Sequence, residues 1–166
     1  GGQHPLRHGL GFLGSGGSGT AFAQDGAIDV AEKIFRETHD AWLREMNDAE
    51  RMKVVNNRLF DVLFFKKEFA ETVNVCRQTV AVLEKSGPSQ HLARLHHMLG
   101  EVYYKWSTEG RDGSPSDAAK LCTESFQQCE AIARRLSDYP NMLRAFNGLG
   151  NLYLARKDST EALQNY

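Results

Sequence analysis

Histidines and an acidic residue cluster in one short stretch of the chain, and metal binding is the first chemistry to consider there. His91, His96 and His97 lie close together, and Glu101 follows His97 by one helical turn. Two ligands at this spacing share one face of a helix and could hold one metal ion. No cysteine or further histidine lies at a matching spacing, so the pattern instead predicts a packed His96 and an exposed His97. We predict no metal ion and no cofactor.

The three cysteines, Cys76, Cys122 and Cys129, fall on apolar positions of predicted helices. A buried cysteine behaves as a small hydrophobic residue. Because their number is odd and their spacing matches no disulfide framework, the pattern indicates reduced, buried thiols. Reduced thiols in turn predict an intracellular, cytoplasmic setting.

The residue patterns of common catalytic sites are missing from the sequence. The glycine-rich run at 14–19 has neither the lysine nor the preceding strand of a phosphate-binding loop. No serine elbow and no cysteine–histidine signature occurs. We therefore predict no catalytic residue and do not expect an enzyme.

Charge and hydropathy exclude two further classes of protein. The formal net charge is −1, with no basic surplus of the kind that nucleic-acid-binding domains carry. The sequence also lacks an uninterrupted apolar run of about 18 residues, the length that predicts a membrane span. We expect neither nucleic acid nor membrane insertion.

A spaced pattern recurs along the chain and predicts the elements that position these residues. It consists of a bulky residue, a Leu-Gly pair and a tyrosine on one helix, then a small residue and an aromatic residue on the next. The last copy comprises Phe146, Leu149, Gly150, Tyr153, Ala162 and Tyr166. The middle copy comprises His96, Leu99, Gly100, Tyr103, Cys122 and Phe126. A weaker first copy comprises Leu59, Leu63, Thr72 and Cys76.

Glycine in the interior of a helix needs a physical reason. Gly150 costs its helix about 1 kcal/mol relative to alanine. Close approach of a second helix at Ala162 would supply the reason, because two small residues allow helices to touch. On this interpretation a leucine at Gly150 would destabilise the fold by overpacking.

The repeated motifs resemble those of the tetratricopeptide repeat (TPR) family, over roughly Lys53 to Tyr166. The units are longer than the commonest length of about 34 residues. In this respect the chain is similar to the long-unit class of Pins-type adaptors, kinesin light chains and Tonsoku-like proteins. The resemblance implies an all-α fold, a right-handed superhelix of antiparallel helix pairs. Another solenoid, such as HEAT repeats, fits the spacing of the last copy less well.

The amino-acid composition divides the chain into two segments. Residues 1–26 are rich in glycine and serine and are expected to form a flexible tail. Whether this tail is native, a secretory signal remnant or an engineered linker stays open. Residues 27–166 are expected to form the helical-repeat domain, cut short at its C-terminal end.

Predicted helices cover about 28–46, 48–65, 68–85, 89–106 and 116–136, and the first carries an apolar stripe that includes Ile28, Phe35 and Trp42. A turn is expected at 47–48, Gly87 is expected to end the third helix, and Ser89 to cap the fourth. A further helix is predicted from Pro140, and another from a cap at Ser159.

The family resemblance also implies where a partner would bind. First helices of TPR units line a concave groove, and the matching positions can be carried over to this chain. The predicted groove consists of Asn57, Asp61, Phe65, Arg94, His97, Met98, Glu101, Tyr104, Lys105, Arg144, Asn147, Asn151 and Leu154. Amide, charged and aromatic groups of this kind suit a peptide or helix, with Met98 and Tyr104 as apolar anchors.

Two functional hypotheses follow. The first is a non-enzymatic scaffold or adaptor that binds a peptide or helix of a partner protein, as a subunit or fragment of a larger assembly. The alternative is a regulatory TPR domain of a larger enzyme or signalling protein whose catalytic part lies outside this chain. The sequence does not separate the two.

Overall fold

The fold of the described residues is entirely helical. The computed structural model describes residues 26–45, 49–109 and 113–164. All regular structure in those ranges is helical, which confirms the all-α class. In chain order the helices are α1 (Ala27–Glu45), α2 (Ala49–Phe65), α3 (Phe69–Leu83), α4 (Gln90–Thr108), α5 (Ala118–Arg135) and α6 (Tyr139–Gln164), and a 3-10 turn, Glu84–Ser86, follows α3.

The helix ends obey the predicted local signals at most positions. Gly87 follows the 3-10 turn at a φ of 84°, a conformation that glycine adopts without strain. Ser89 caps α4, its hydroxyl oxygen accepting the Leu92 N–H at 3.0 Å. The expected tail and the turn at 47–48 lie outside the described residues, apart from Gly26.

Chain contacts divide the protein into two compact units, Gly1–Glu68 and Phe69–Tyr166. The described part of unit 1 holds α1 and α2, and unit 2 holds α3 to α6. The first predicted repeat, with Leu59 on its first helix and Cys76 on its second, is divided by this boundary. Its pairing and the expected single domain over 27–166 stay predictions.

Unit 1 is an α1–α2 pair with a charged cluster at one end. The predicted apolar stripe of α1 is buried at Ile28, Phe35 and Trp42. Just beyond α2, the Lys66 ammonium lies 2.6 Å from a Glu32 carboxylate oxygen and 2.9 Å from one of Asp29. Both acids belong to the first two turns of α1. The ion pairs therefore join the end of α2 to the start of α1.

Unit 2 is built around the aromatic ring of Phe126. Helix α5 packs against both α4 and α6, and α4 also contacts α6. A Cβ placed on Gly100 of α4, or on Gly148 of α6, would lie 2.5 Å from the Phe126 ring. No real Cβ makes such a contact, so the ring occupies its place only because both positions are glycine.

A small residue on α6 does allow a neighbouring helix to approach closely, but that residue is Gly148 rather than the predicted Gly150. No described heavy atom lies within 4 Å of a Cβ built on Gly150. Helix α6 continues to Gln164, so the predicted break and cap at Ser159 are wrong, and Ala162 belongs to the same helix as Gly150. The physical reason is that no glycine or proline interrupts the stretch from Asn151 to Gln164.

Candidate functional site

The line along which α4 meets α6 brings two arginines to one region of unit 2. Ala93 of α4 and Ala145 of α6 share a fully buried cluster with Cys129 of α5. The charges of Arg94 and Arg144 both act on Cys129 and on His97, so the two guanidinium groups lie near this line. Arg94 is half-buried and Arg144 is exposed.

Asn141 holds the Arg144 side chain in place. Its Oδ1 accepts a hydrogen bond from Arg144 Nη1 at 3.0 Å, and its Nδ2 donates to the Gln90 carbonyl of α4 at 3.4 Å. The same Nδ2 donates to Asp138, whose other carboxylate oxygen accepts the Asn141 N–H. Asn141 is buried, so this network fixes the first turn of α6 against the first turn of α4.

His97 is close enough to both arginines for their charges to act on it, and it is neutral at pH 7. Burial, together with the charges of Arg94 and Arg144, lowers the pKa of His97 to about 4. Arg94 Nη1 lies 2.7 Å from His97 Nδ1. Because a guanidinium group only donates, Nδ1 must accept, and the imidazole proton resides on Nε2.

The approach of His97 to Glu101 is consequently not an ion pair at neutral pH. His97 Nε2 lies 3.6 Å from Glu101 Oε1, which satisfies a distance criterion for a salt bridge only if the imidazole is charged. The lowered pKa of His97 argues that it is uncharged. We therefore assign the histidine a packing role: its ring lies 5.6 Å from the Phe126 ring, centroid to centroid.

The structure distributes the predicted groove residues unevenly. Those that are exposed in unit 2 are Lys105, Arg144, Asn147, Asn151 and Leu154. Those that are half-buried in unit 2 are Arg94, Glu101 and Tyr104. The remaining unit 2 members, His97 and Met98, are buried. In unit 1, Asn57 is half-buried, and Asp61 and Phe65 are exposed.

Two of the predicted groove residues need correction. Met98 is only 2% exposed, so it cannot be the surface anchor that we expected, and His97 is only 7% exposed. The expected arrangement of a packed His96 and an exposed His97 is reversed, since His96 is the half-buried one. Helix α4 is in contact with α3, α5 and α6, which leaves little of its surface exposed, and the His97 ring packs 5.6 Å from the Phe126 ring, centroid to centroid.

The cysteines behave as predicted. Cys76, Cys122 and Cys129 are all buried and form no disulfide. Burial, with the Asp138 carboxylate, raises the pKa of Cys129 to about 11, so the thiol stays protonated. Its Sγ lies 3.5 Å from the Asn141 carbonyl oxygen, to which the thiol donates. The compartment in which the protein resides stays a prediction.

Metal-ligand clusters and membrane-spanning helices are both absent from the described ranges. No group of three histidine, cysteine or acidic side chains there converges as metal ligands would. None of the helices that the structure describes has the combination of length and apolar character needed to cross a bilayer.

Sequence reasoning missed the most informative residue of this site, Asn141. Its signal was nonetheless present, because Asp138 stands three positions earlier, where a helix N-cap would be. The convergence of Arg94 with Arg144 had no such local signal. It depends on the register of α4 against α6.

The comparisons with known proteins are distant. No protein-family model matches the chain, and no curated protein matches it. The chain is similar to two solved structures of nearly identical TPR-like repeats from a candidate kinesin light chain of Podosopora anserina. One, a glutamine-to-methionine variant, shares 18% identity over 99% of this chain and 93% of its own, with a TM-score of 0.40. The other shares 18% identity over 98% of this chain and 92% of its own, with a TM-score of 0.38.

Proposed function

We propose that this protein is a non-enzymatic scaffold and that the α4–α6 surface of unit 2 binds an acidic peptide segment of a partner protein. The observation that carries the proposal is the convergence of Arg94 and Arg144 from neighbouring helices. Membership of a larger assembly and an intracellular setting stay predictions.

The chemistry of this surface suits a carboxylate. A guanidinium group binds a carboxylate through two parallel N–H bonds, and such bonds are stronger than neutral ones. The Arg144 group is held by Asn141, so less conformational entropy is lost when it binds. Lys105 adds a third positive charge farther along α4.

The remaining exposed groups suit the rest of a peptide. Asn147 and Asn151 lie one helical turn apart on α6 and can hydrogen-bond an extended main chain. Leu154 and the half-buried Tyr104 offer apolar contacts beside them. Tyr104 therefore remains as a predicted anchor, whereas Met98 does not.

The experiment that tests the proposal is selection from a displayed library of random peptides. We expect the intact chain to enrich peptides that contain aspartate, glutamate or a free C-terminal carboxylate. The double variant Arg94→Glu, Arg144→Glu should lose that enrichment by about tenfold or more. The matched control is Lys85→Glu, Arg135→Glu, which changes the net charge equally at exposed positions elsewhere in unit 2.

Thermal melts of both double variants establish that each is folded. If the Arg94→Glu, Arg144→Glu chain is folded and enriches the same acidic peptides as the control, the proposal is wrong. It is also wrong if a single-stranded oligonucleotide binds the chain and competes for the same two arginines more tightly than any selected peptide.

A further inference from the structure

A cavity of about 240 Å³ opens in unit 2 between α3 and α5, with residues of α4 as its floor. Those floor residues lie away from the arginine site. His96 and Tyr103 each follow a residue of that site's side of α4, Arg94 and Glu101, by two positions. Two positions correspond to about half a turn of helix. The cavity is therefore separate from the surface that carries Arg94 and Arg144.

The inner surface of the cavity is apolar and small. Val80 of α3 and Leu99 and Tyr103 of α4 are buried there, and Leu121 of α5 is half-buried. An apolar cavity of about 150 Å³ holds one benzene ring. At that ratio a cavity of about 240 Å³ holds roughly nine or ten ring atoms, which is the size of two fused aromatic rings.

His96 adds an uncharged aromatic ring to the same cavity. Its side chain is half-buried. Burial lowers the pKa of His96, and the charge of Glu84 opposes this only in part, so the imidazole is neutral at pH 7. A neutral ring at this place favours packing against another aromatic ring.

Two opposite charges line the cavity from different helices. Arg77 of α3 donates from Nη2 to the Tyr103 hydroxyl at 2.6 Å, and its guanidinium carbon lies 5.9 Å from the centroid of that ring. Glu124 of α5 lies 3.8 Å from the exposed Lys120 ammonium. Within the described part of the chain these are the polar contacts of the two groups, so further donors of Arg77 and acceptors of Glu124 stay available.

This pair of charges selects a neutral planar ligand. An ion would be attracted to one of the two walls and repelled by the other. Arg77 can still donate two parallel N–H bonds, and the Glu124 carboxylate can accept two. A ligand that satisfies both carries paired acceptors on one edge of an aromatic ring and paired donors on another. No amino-acid side chain has this combination on fused rings, so neither a second copy of the chain nor a partner protein supplies it.

Guanine has both edges on fused rings of the required size. Its O6 and N7 atoms accept two bonds from an arginine, and its ring N–H and exocyclic amine donate two to a carboxylate. We propose that the cavity between α3 and α5 binds a guanine base, with Arg77 at the acceptor edge, Glu124 at the donor edge, and the rings packed against Val80 and Leu99.

The surrounding charges favour a nucleoside over a nucleotide. Besides Glu124, the carboxylates of Glu84 and Asp117 lie close enough for their charges to act on residues of the floor. These three acids outnumber the two nearby cations, Arg77 and Lys120. A phosphate chain at the mouth of the cavity would be repelled by the excess negative charge, whereas an uncharged ribose would not.

The test is a titration of the intact, nitrogen-15-labelled chain with guanosine, followed by proton–nitrogen NMR. We expect saturable shifts of amide signals from α3, α4 and α5 around the cavity, with a Kd of about 1 mM or tighter. Inosine, which lacks only the exocyclic amine, should bind about tenfold more weakly, because Glu124 then loses one of its two bonds. GTP should bind more weakly than guanosine.

Variants of the chain locate the binding. Glu124→Ala, at an exposed position, should abolish the preference for guanosine over inosine, whereas Glu37→Ala on α1 should retain it. Ser125→Leu fills the cavity at the cost of one hydrogen bond to the Leu121 carbonyl, and should weaken guanosine binding by about tenfold or more. Gln127→Leu adds the same side chain to α5 outside the cavity and should bind as the unmodified chain does. Thermal melts establish that each variant is folded.

Four results would overturn the proposal. The first is that guanosine causes no shifts at about 1 mM, or only shifts around Arg144. The second is that inosine and guanosine bind the unmodified chain equally. The third is that Ser125→Leu, when folded, binds guanosine as Gln127→Leu does. The fourth is that GTP or a guanine-containing oligonucleotide binds more tightly than guanosine, because the ligand would then be recognised through its phosphates.

Discussion

At the scale of single residues, burial determines the charge state and the role of His97. As part of a sequence pattern, His97 was a candidate surface ligand that pairs with Glu101. In the folded chain it is a neutral packing residue whose Nδ1 accepts from Arg94. What decides the difference is the cost of placing a charged imidazole in a buried site beside two guanidinium groups.

This burial predicts an acid-dependent loss of stability. The folded-state pKa of His97, about 4, lies below its ordinary value of 6.5. Between those values the unfolded chain binds more protons, so the free energy of unfolding falls as pH decreases, by at most about 1.4 kcal/mol per pH unit. The contribution is complete above about pH 6.5 and lost by about pH 4.

The measurement is urea unfolding between about pH 7 and pH 5. The unmodified chain should lose about 1 to 2 kcal/mol over this range, and His97→Gln should lose less. His96→Gln is the comparison variant. His96 is a half-buried neighbour, and burial lowers the pKa of its imidazole as well. Equal pH dependence of His97→Gln and the unmodified chain would contradict the assignment.

At the scale of elements, α6 is a helix with two different small-residue faces. The face with Gly148 is filled by Phe126, and the face with Gly150 is not. Intrinsic propensity is the same for both glycines. Packing alone distinguishes them.

Alanine substitutions should therefore have opposite effects at the two positions. Gly148→Ala forces the Phe126 ring to move and should destabilise unit 2 by about 1–3 kcal/mol. Gly150→Ala meets no neighbour and should stabilise the helix by up to about 1 kcal/mol, through propensity. Thermal or urea unfolding followed by circular dichroism measures both. Shifts of the same sign would show that the two faces are not distinguished as described.

At the scale of the whole molecule, the protein divides into two compact units with different means of stabilisation. Unit 2 depends on helices packed around Phe126. Unit 1 includes a charged cluster in which Lys66 binds Asp29, Glu32 and Glu68. Burial by itself would raise the pKa of Glu32, but hydrogen bonds from Lys66 and Arg36 outweigh it, so the pKa of Glu32 is lowered.

Removing this cluster should weaken unit 1 specifically. Lys66→Met leaves the half-buried Glu32 without its closest cation and should cost about 1–3 kcal/mol. Because the folded-state pKa of Glu32 is lowered, its contribution is present above its ordinary pKa and is lost as pH falls through the lowered value.

Hydrogen exchange followed by mass spectrometry reports the two units separately. Lys66→Met should accelerate exchange in α1 and α2 more than in α4 to α6. Lys33→Met, at an exposed position of α1, is the matched control and should leave both units unchanged. Equal acceleration throughout the chain would mean that the cluster does not act locally.

The sequence by itself determined the helices and the small-residue pattern. Apolar spacing predicted α1 to α5 closely, and local signals such as Ser89 and Gly87 predicted their ends, because such signals act over a few residues. The buried thiols followed from apolar positions in the same way.

Only the tertiary structure decided which glycine of α6 is filled, whether Met98 is exposed, and that the charges of Arg94 and Arg144 act on the same histidine. These features depend on the register between helices far apart in the chain, which no local pattern encodes. Helix α6 illustrates the limit: it carries a Leu-Gly motif that predicts a covering helix, yet the face that α5 covers is centred on Gly148. Both faces of α6 carry a small residue that could accept a neighbouring helix. Which face is covered is decided only when the helices pack together.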